Sequence, residues 1–336
     1  MAKRVLIVTN SYDLHADLVS ARLSAIGQAP FRLNLDDFPK DYEITLSFVD
    51  GRWSGGLTHL PTGNALLIEE IGAVWMRKKA DFSYRSGELL PQEKAYADGE
   101  MEHILFSMLY ALDCYWMSHP LAVRGASWKG EQLLRAARMG FDVPPSIVTN
   151  RRADVDAFRH AVGDLVFKTL SSPILAADEV AAEDQIVNHL STTLITDEDE
   201  ALLDAVAELP SFFQPNVSKA YELRVTVIGD RLFAAKIHSQ ADPRTVIDCR
   251  DMSAEILYEA EVLPAEISCR CLEFVHSYGL NYGAIDLIVT PDGRYVFLEN
   301  NPVGQFLFVE QLVPALDMTG HTARCLSDAV RKEGRT

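Results

Sequence analysis

Apolar positions along the chain fall into short runs separated by turn residues, which predicts alternating strands and helices. RVLIVTN begins as a β-branched run, residues from about Leu14 to Ile26 repeat at helical spacing and stop at Gly27, and FRLNL reads as the next strand. This is a βαβ opening. Residues 43 to 60 alternate as strands around Gly51 and Gly55-Gly56, and AVWMRKK at 73 to 79 is a further strand ending in three cations. Residues 93 to 117 predict one long amphipathic helix.

A junction near residue 120 follows from the pattern beyond it. Ser127 to Met139 predicts a helix closed by Gly140, and VPPSIVT leaves it in extended form because its prolines disfavour helix. Then come a helix from about Asp154 to Ala161, a strand LVFKTL, a loop SSP, a strand around 192 to 196 and a helix from Glu198 to Glu208. SFFQPNV, ELRVTVIG and RLFAAKIHS are three successive strands, the last two forming a hairpin through Gly229-Asp230. After a helix at about 264 to 278, YGAIDLIVT and RYVFLEN form a second hairpin joined at Pro291-Asp292-Gly293. The pattern predicts an α/β chain with α+β lobes, divided as 1–120, 121–195 and 196–336.

Composition narrows the setting. The chain has 336 residues and a formal net charge of −17, with no apolar run near the length of a membrane span and no signal peptide at MAKRVLIVTNSYD. We expect a cytoplasmic protein with no membrane partner. Five cysteines, none in a C-x-x-C pair, read as free thiols of a reducing compartment. The negative charge opposes general nucleic-acid binding, so any nucleotide bound here needs a local group of cations or metal ions.

Several chemistries lack their signatures. Strand 1 leads into TNSYD with no G-x-G-x-x-G, and Gly125 to Gly130 is followed by Glu131 where a Walker A loop needs Lys. No H-E-x-x-H or G-x-S-x-G is present.

The strongest candidate chemistry sits on the second hairpin. With a two-residue loop, Thr290 pairs with Gly293 and Asp286 falls opposite Phe297; Phe297, Glu299 and Asn301 then share a face, Glu299 one diagonal step from Asp286. A bulge at Gly293 shifts the register by one and turns Asp286 to the other face. Clustered hard oxygen donors suit Mg²⁺ or Mn²⁺ bridging nucleotide phosphates, whereas an edge carboxylate facing water or an Arg is the plain alternative. Lys168 interrupts an apolar strand and wants an anion, unless it snorkels or is salt-bridged; Lys129 starts a helix, where a solvated surface lysine is equally ordinary. Glu222 and Arg224 share a strand face, as do Lys236, His238 and Gln240 on the partner strand, and Arg250 follows nearby. Arginine suits a carboxylate or phosphoryl group, and an ordinary salt-bridged sheet explains the same residues. FFQPNV ends a strand in a short connection suited to an adenine edge. The run Thr196 to Glu200 reads as a capped helix start.

Taken in order, ASWKGEQLLRAARMGFDVPPSIVTN, LVFKTLSS, FFQPNV, YELRVTVIGDRLFAAKIHSQ, YGAIDLIV and LENNPVGQF resemble the ATP-grasp superfamily. In particular they resemble the microviridin-type ribosomal-peptide maturases, or graspetide ligases. RVLIVTNSYD, LNLDDFP and AVWMRKK are similar to the N-terminal, pre-ATP-grasp domain of that group. The resemblance implies that Lys129 and Lys168 contact ATP phosphates, that Gln214 and Val217 lie in the adenine linker, and that Asp286, Glu299 and Asn301 hold two Mg²⁺ ions. Arg224 and Arg250 would face the γ-phosphate or an acyl-phosphate. We group Lys236 with these two arginines as a catalytic candidate and Glu222 with the cofactor-binding residues. Two positions depart from the pattern: the loop after LVFKTL is Ser-Ser-Pro and not glycine-rich, and Cys249 stands where an aromatic precedes the late arginine.

The implied reaction activates Asp or Glu side chains of a ribosomally made precursor peptide, leader plus core, as acyl-phosphates. Capture by Ser, Thr or Lys closes ω-ester or ω-amide macrocycles and releases ADP and phosphate. An ATP-grasp ligase that adds an amino acid to a peptide or small acid shares the nucleotide residues, and a nucleotide-binding protein without turnover is the third possibility. The resemblance also implies a homodimer and leader recognition near residues 190 to 205.

Overall fold

Near-continuous apolar runs place the first sheet where both faces are covered. The computed structural model describes residues 2–171, 190, 192–251 and 253–333. Strand β1 (Arg4–Thr9) leads through helix α1 (Leu14–Ala25) to β2 (Phe31–Asn34). Asp13 caps α1 by accepting the amide of His15 at 3.2 Å, and Gly27 ends it at φ +79°. Strands β3 (Tyr42–Val49), β4 (Arg52–His59) and β5 (Asn64–Leu67) form a separate antiparallel sheet before β6 (Ile71–Met76) returns beside β1.

Helix α2 (Pro91–Tyr110) is shorter than the 93 to 117 expected, and Tyr115–Trp116 form strand β7, parallel to β6. The reason is pairing: Tyr115 and Trp116 stand beside Ala73 and Val74, and Trp116 enters the core with Leu105 and Leu109. Aromatic residues satisfy either periodicity, and the sheet edge decides. The first sheet runs β2-β1-β6-β7.

Helices α3 (Pro120–Ala126) and α4 (Lys129–Arg138) then lead to a four-stranded antiparallel sheet. It is built from β8 (Ile147–Thr149), β9 (Leu165–Lys168), β10 (Thr193–Leu194) and β11 (Ser211–Pro215), with helix α5 (Arg152–Val162) over a small core of Val155, Leu165 and Phe213. In strand pairing this lobe therefore extends past residue 195. The helix expected over 198 to 208 is instead two 3₁₀ segments, Asp197–Asp199 and Leu202–Ala207. Thr196 and Asp199 do form the expected capping contacts, but they close a single tight turn.

A five-stranded antiparallel sheet, β14-β13-β12-β15-β16, completes the chain. Its strands are β12 (Tyr221–Ile228), β13 (Arg231–Ile237), β14 (Tyr258–Glu261), β15 (Tyr282–Val289) and β16 (Tyr295–Asn301), with helix α6 (Ala265–His276) packed on the Leu223 and Val225 face. Helix α7 (Leu307–Leu312) follows, and helix α8 (Met318–Glu333) runs back to the first sheet. There Leu326 and Val330 join Ile7, Val19, Ile228 and Phe306 in one core. The N-terminal sheet and the last sheet are thus bound by a shared apolar layer. No helix among the described residues is long and apolar enough to cross a membrane.

Candidate active site

The chemistry-bearing residues meet in a cleft of about 1080 Å³ between the four-stranded sheet of β8 to β11 and the last sheet. Its geometry begins at the second hairpin. Gly293, at φ +83°, allows a three-residue loop, so Thr290 pairs with Arg294 and not Gly293. That is the one-residue shift that turns Asp286 away. A second irregularity reverses it: the register slips between Leu287, opposite Phe297, and Asp286, opposite Glu299. Leu298 is the bulged residue. Asp286 and Glu299 are direct neighbours, and Asn301, opposite Ala284, shares their face.

On β12, Arg224 stands opposite Asp286 and its guanidinium lies 3.1 Å from the carboxylate. Glu299 takes Lys129 Nζ at 2.9 Å, and the same ammonium donates to the Thr169 carbonyl at 2.7 Å. The start of α4 is thereby joined to the end of β9. Asn301 Nδ2 lies 3.3 Å from Glu299 and 3.5 Å from Asp286. Burial pushes the Asp286 carboxyl up to about 7; Arg224 opposes this and Glu299 adds to it. Burial also acts to raise Glu299, but Lys129 holds it below the ordinary carboxylate range. Lys168 is lowered to about 8 by burial, against the pull of Glu299.

Gln214, Val217, Glu222 and Arg250 line the same cleft. The Gln214 amide donates to Ser146 Oγ at 2.9 Å, and Arg250 is held by Asp248 at 2.5 and 2.8 Å. Lys236 is placed elsewhere, which corrects its grouping with the arginines. It alternates with Ile237 to the opposite face of β13, 3.3 Å from Glu259 and over the Tyr221 ring. Strand parity separates it from Arg224, which faces Ala235. Of the Ser-Ser-Pro loop, Ser171 lines the cleft, while Ser172 and Pro173 lie outside the described residues.

Three contributors escaped sequence reasoning. Lys219 bonds Glu222 at 2.8 Å and the Ile247 carbonyl at 3.0 Å; its place in the linker, three residues before Glu222, was the available signal. Tyr258 and Phe308 supply aromatic wall from elements distant in sequence, and no spacing announces them.

The donor set fits a hard divalent cation: two carboxylates and an amide share one face, and burial disfavours the ionised form of the Asp286 carboxyl, which a bound cation would favour again. The lysines and Arg224 add positive charge beside it, as a polyphosphate requires.

Residues 4–124 match the family model described as the MvdD pre-ATP grasp domain. No curated protein matches the chain. Among solved structures, the macrocyclase MdnC of Microcystis aeruginosa MRC, bound with precursor peptide MdnA, is 30% identical, with a TM-score of 0.81 over 97% of this chain and 99% of that one. The chain belongs to the ATP-grasp ligases of ribosomal-peptide maturation. A RiPP-associated ATP-grasp ligase of Chryseobacterium gregarium, solved with ADP and a leader and core peptide, is 28% identical, with a TM-score of 0.83 over 97% of each chain. MdnB of Microcystis aeruginosa MRC is 25% identical, with a TM-score of 0.74 over 96% of this chain and 98% of that one. As an ATP-grasp ligase of this family, the chain is an ADP-forming, ATP-dependent peptide ligase with an N-terminal pre-ATP-grasp domain.

Proposed function

We propose that this ligase activates Asp or Glu side chains of a ribosomally made precursor peptide and closes ω-ester or ω-amide macrocycles. The carboxylate oxygen attacks the γ-phosphorus of ATP as the bond to ADP breaks, giving an acyl-phosphate. A Ser or Thr hydroxyl or a Lys amine then attacks the acyl carbon, phosphate leaves, and the peptide has lost one water. The observation that carries this reading is the convergence of Asp286, Glu299 and Asn301 with Lys129, Lys168 and Arg224 on one cleft.

In this reading Lys129 and Lys168 hold phosphates, Gln214 and Val217 flank the adenine, and Glu222 borders the nucleotide. Arg224 and Arg250 orient the activated carboxylate, and the cleft walls keep water from the acyl-phosphate. Asp286, Glu299 and Asn301 would hold two Mg²⁺ ions, which supply charge neutralisation at the phosphates when bound. Asn301 would present its carbonyl oxygen by turning its amide over.

The precursor is a leader plus core, with the leader received near residues 190 to 205. Leu202, 69% exposed, supports an apolar contact there; residue 191 lies outside the described residues. The resemblance supports a homodimer, and cysteines outside any disulfide suit the reducing cytoplasm. We propose 1–120, 121–195 and 196–336 as the domain division, with β11 from the third segment completing the sheet of the second.

The test is intact-mass analysis of the peptide encoded beside the gene, incubated with protein, ATP and Mg²⁺ while ADP is followed. Loss of one water per ADP formed supports macrocyclisation. Gain of an amino-acid residue with ADP turns the reading to acceptor ligation, and unchanged peptide and nucleotide turn it to binding without turnover.

A further inference from the structure

The outer edge of β16 is completed by a side chain. β16 is the last strand of its sheet, so on one side its amides and carbonyls have no strand partner. Phe297 N finds the Asp142 carbonyl at 2.8 Å. Asn300 finds Gln132: Asn300 N donates to Gln132 Oε1 at 2.8 Å, and Gln132 Nε2 donates to the Asn300 carbonyl at 2.9 Å. The same Nε2 donates to the Ala126 carbonyl at 2.6 Å. Gln132 is 2% exposed, so its amide mimics a strand neighbour inside the protein.

The placement has two consequences. Asn300 separates Glu299 from Asn301, so clamping its backbone in both directions sets the directions in which the flanking side chains leave the strand. The clamp also sits just beyond the Leu298 bulge, where the pairing with β15 resumes in its shifted register with Asn300 opposite Ile285. Gln132 lies one helical turn after Lys129 on α4, so one helix face grips Glu299 by charge and Asn300 by backbone.

We propose that Gln132 is a positioning residue for the metal-binding face, holding Glu299 and Asn301 in register with Asp286. This rests on the reading of Asp286, Glu299 and Asn301 as metal ligands. A group that orients ligands through hydrogen bonds typically costs about 10- to 100-fold in metal affinity when removed.

The experiment compares ADP affinity with and without Mg²⁺, by calorimetry, in the wild-type protein, Gln132→Met, Gln132→Glu and Asp286→Asn, with thermal unfolding in parallel. Gln132→Met removes all three hydrogen bonds at similar volume; Gln132→Glu keeps an acceptor for Asn300 N and loses the donors. The expected result is an unchanged metal-free ADP affinity and a Mg²⁺-dependent gain reduced about tenfold or more in Gln132→Met, with Gln132→Glu between it and wild type. A full gain in folded Gln132→Met overturns the inference alone. Parallel loss of both affinities with the melting temperature overturns it too, assigning Gln132 a general stabilising role. Should Gln132→Met not fold, Gln132→Glu carries the comparison, and a full gain there overturns it. Absence of any gain in wild type, matching Asp286→Asn, removes the metal reading and the inference with it.

Discussion

Asp286 stands directly opposite Glu299 although its neighbour Leu287 stands opposite Phe297, and the displaced Leu298 between them accounts for the difference. Two carboxylates side by side on a partly buried sheet face repel each other, and the protein meets that cost with one cation apiece. Arg224 serves Asp286 and Lys129 serves Glu299. The cations are not equivalent: Glu299 is held below the ordinary carboxylate range while Asp286 stays above it. One side of the pair is thus charge-balanced, and the other is left wanting positive charge.

Asp286→Asn removes that unbalanced carboxylate while keeping the shape. We expect ATP turnover to fall by about a hundredfold or more, since charge stabilisation at a reacting phosphoryl group is worth several kcal/mol. Unfolding temperature should fall, because the buried Arg224 guanidinium loses the carboxylate it pairs with at 3.1 Å. Peptide-dependent ADP formation and thermal unfolding together decide it; full turnover would sink the metal assignment.

Lys168 sets a limit on the alkaline side. Burial lowers its ammonium to about 8, so the free protein loses this charge as pH rises through that value. The folded ammonium is disfavoured, so the lysine's cost to stability is present below about 8 and fades above it. Nucleotide binding needs the charge, so metal-free ADP affinity should decline as pH rises past about 8. Lys168→Met should bind weakly and show no such decline. A titration of ADP affinity against pH in both proteins checks this.

The elements that carry the site were legible because their sequences are locally consistent. YGAIDLIV and RYVFLEN are near-continuous apolar runs on either side of a Pro-Asp-Gly loop, and Asp286 interrupts the first where an unpaired carboxylate is costly. Register was not legible. The left-handed Gly293 and the Leu298 bulge leave no mark in the hairpin's apolar pattern, and the Asp142 and Gln132 contacts along the outer edge of β16 come from residues far away in sequence. Lys236 illustrates the reverse error: its sequence neighbours pointed to the site, but strand parity fixes its face and sends it to Glu259. The long-helix reading of 93 to 117 failed similarly, because β6 offered Tyr115 and Trp116 an edge that periodicity does not encode.

Lys236→Met therefore makes a useful control. Its ammonium reaches Glu259, 45% exposed, and the Tyr221 ring, neither of which joins the carboxylate face. Solvent screens exposed pairs of this kind, so they contribute little to stability. Peptide-dependent turnover should remain at the wild-type level while Arg224→Met loses it. A comparable loss in both variants would return Lys236 to the catalytic group.

His15 links the N-terminal domain to the cleft wall, and its protonation state matters. Its Nε2 accepts from the amides of Phe306 at 3.2 Å and Leu307 at 3.3 Å, and its ring meets Phe306 edge-on at 4.7 Å. Gly304, Gln305 and Phe308, on the same short segment, line the cleft. Only a neutral imidazole has a lone pair for those amides. Burial lowers the His15 pKa, against the raising effect of Asp13 3.6 Å away and with help from Arg77 and Lys78. A depressed folded pKa means the contribution is complete above the ordinary imidazole value and is lost as pH falls through the folded one. His15→Leu leaves two buried amides without an acceptor, at about 1–3 kcal/mol each, so we expect a loss of stability of about 2 kcal/mol or more and a weakened KM for ATP. His15→Gln offers an amide oxygen in place of Nε2, so it should retain most of the stability near neutral pH and lose the acid-side sensitivity assigned to the imidazole. Denaturant unfolding of the three proteins between neutral and mildly acidic pH separates the cases. Equal acid sensitivity in wild type and His15→Gln would move the titrating group elsewhere.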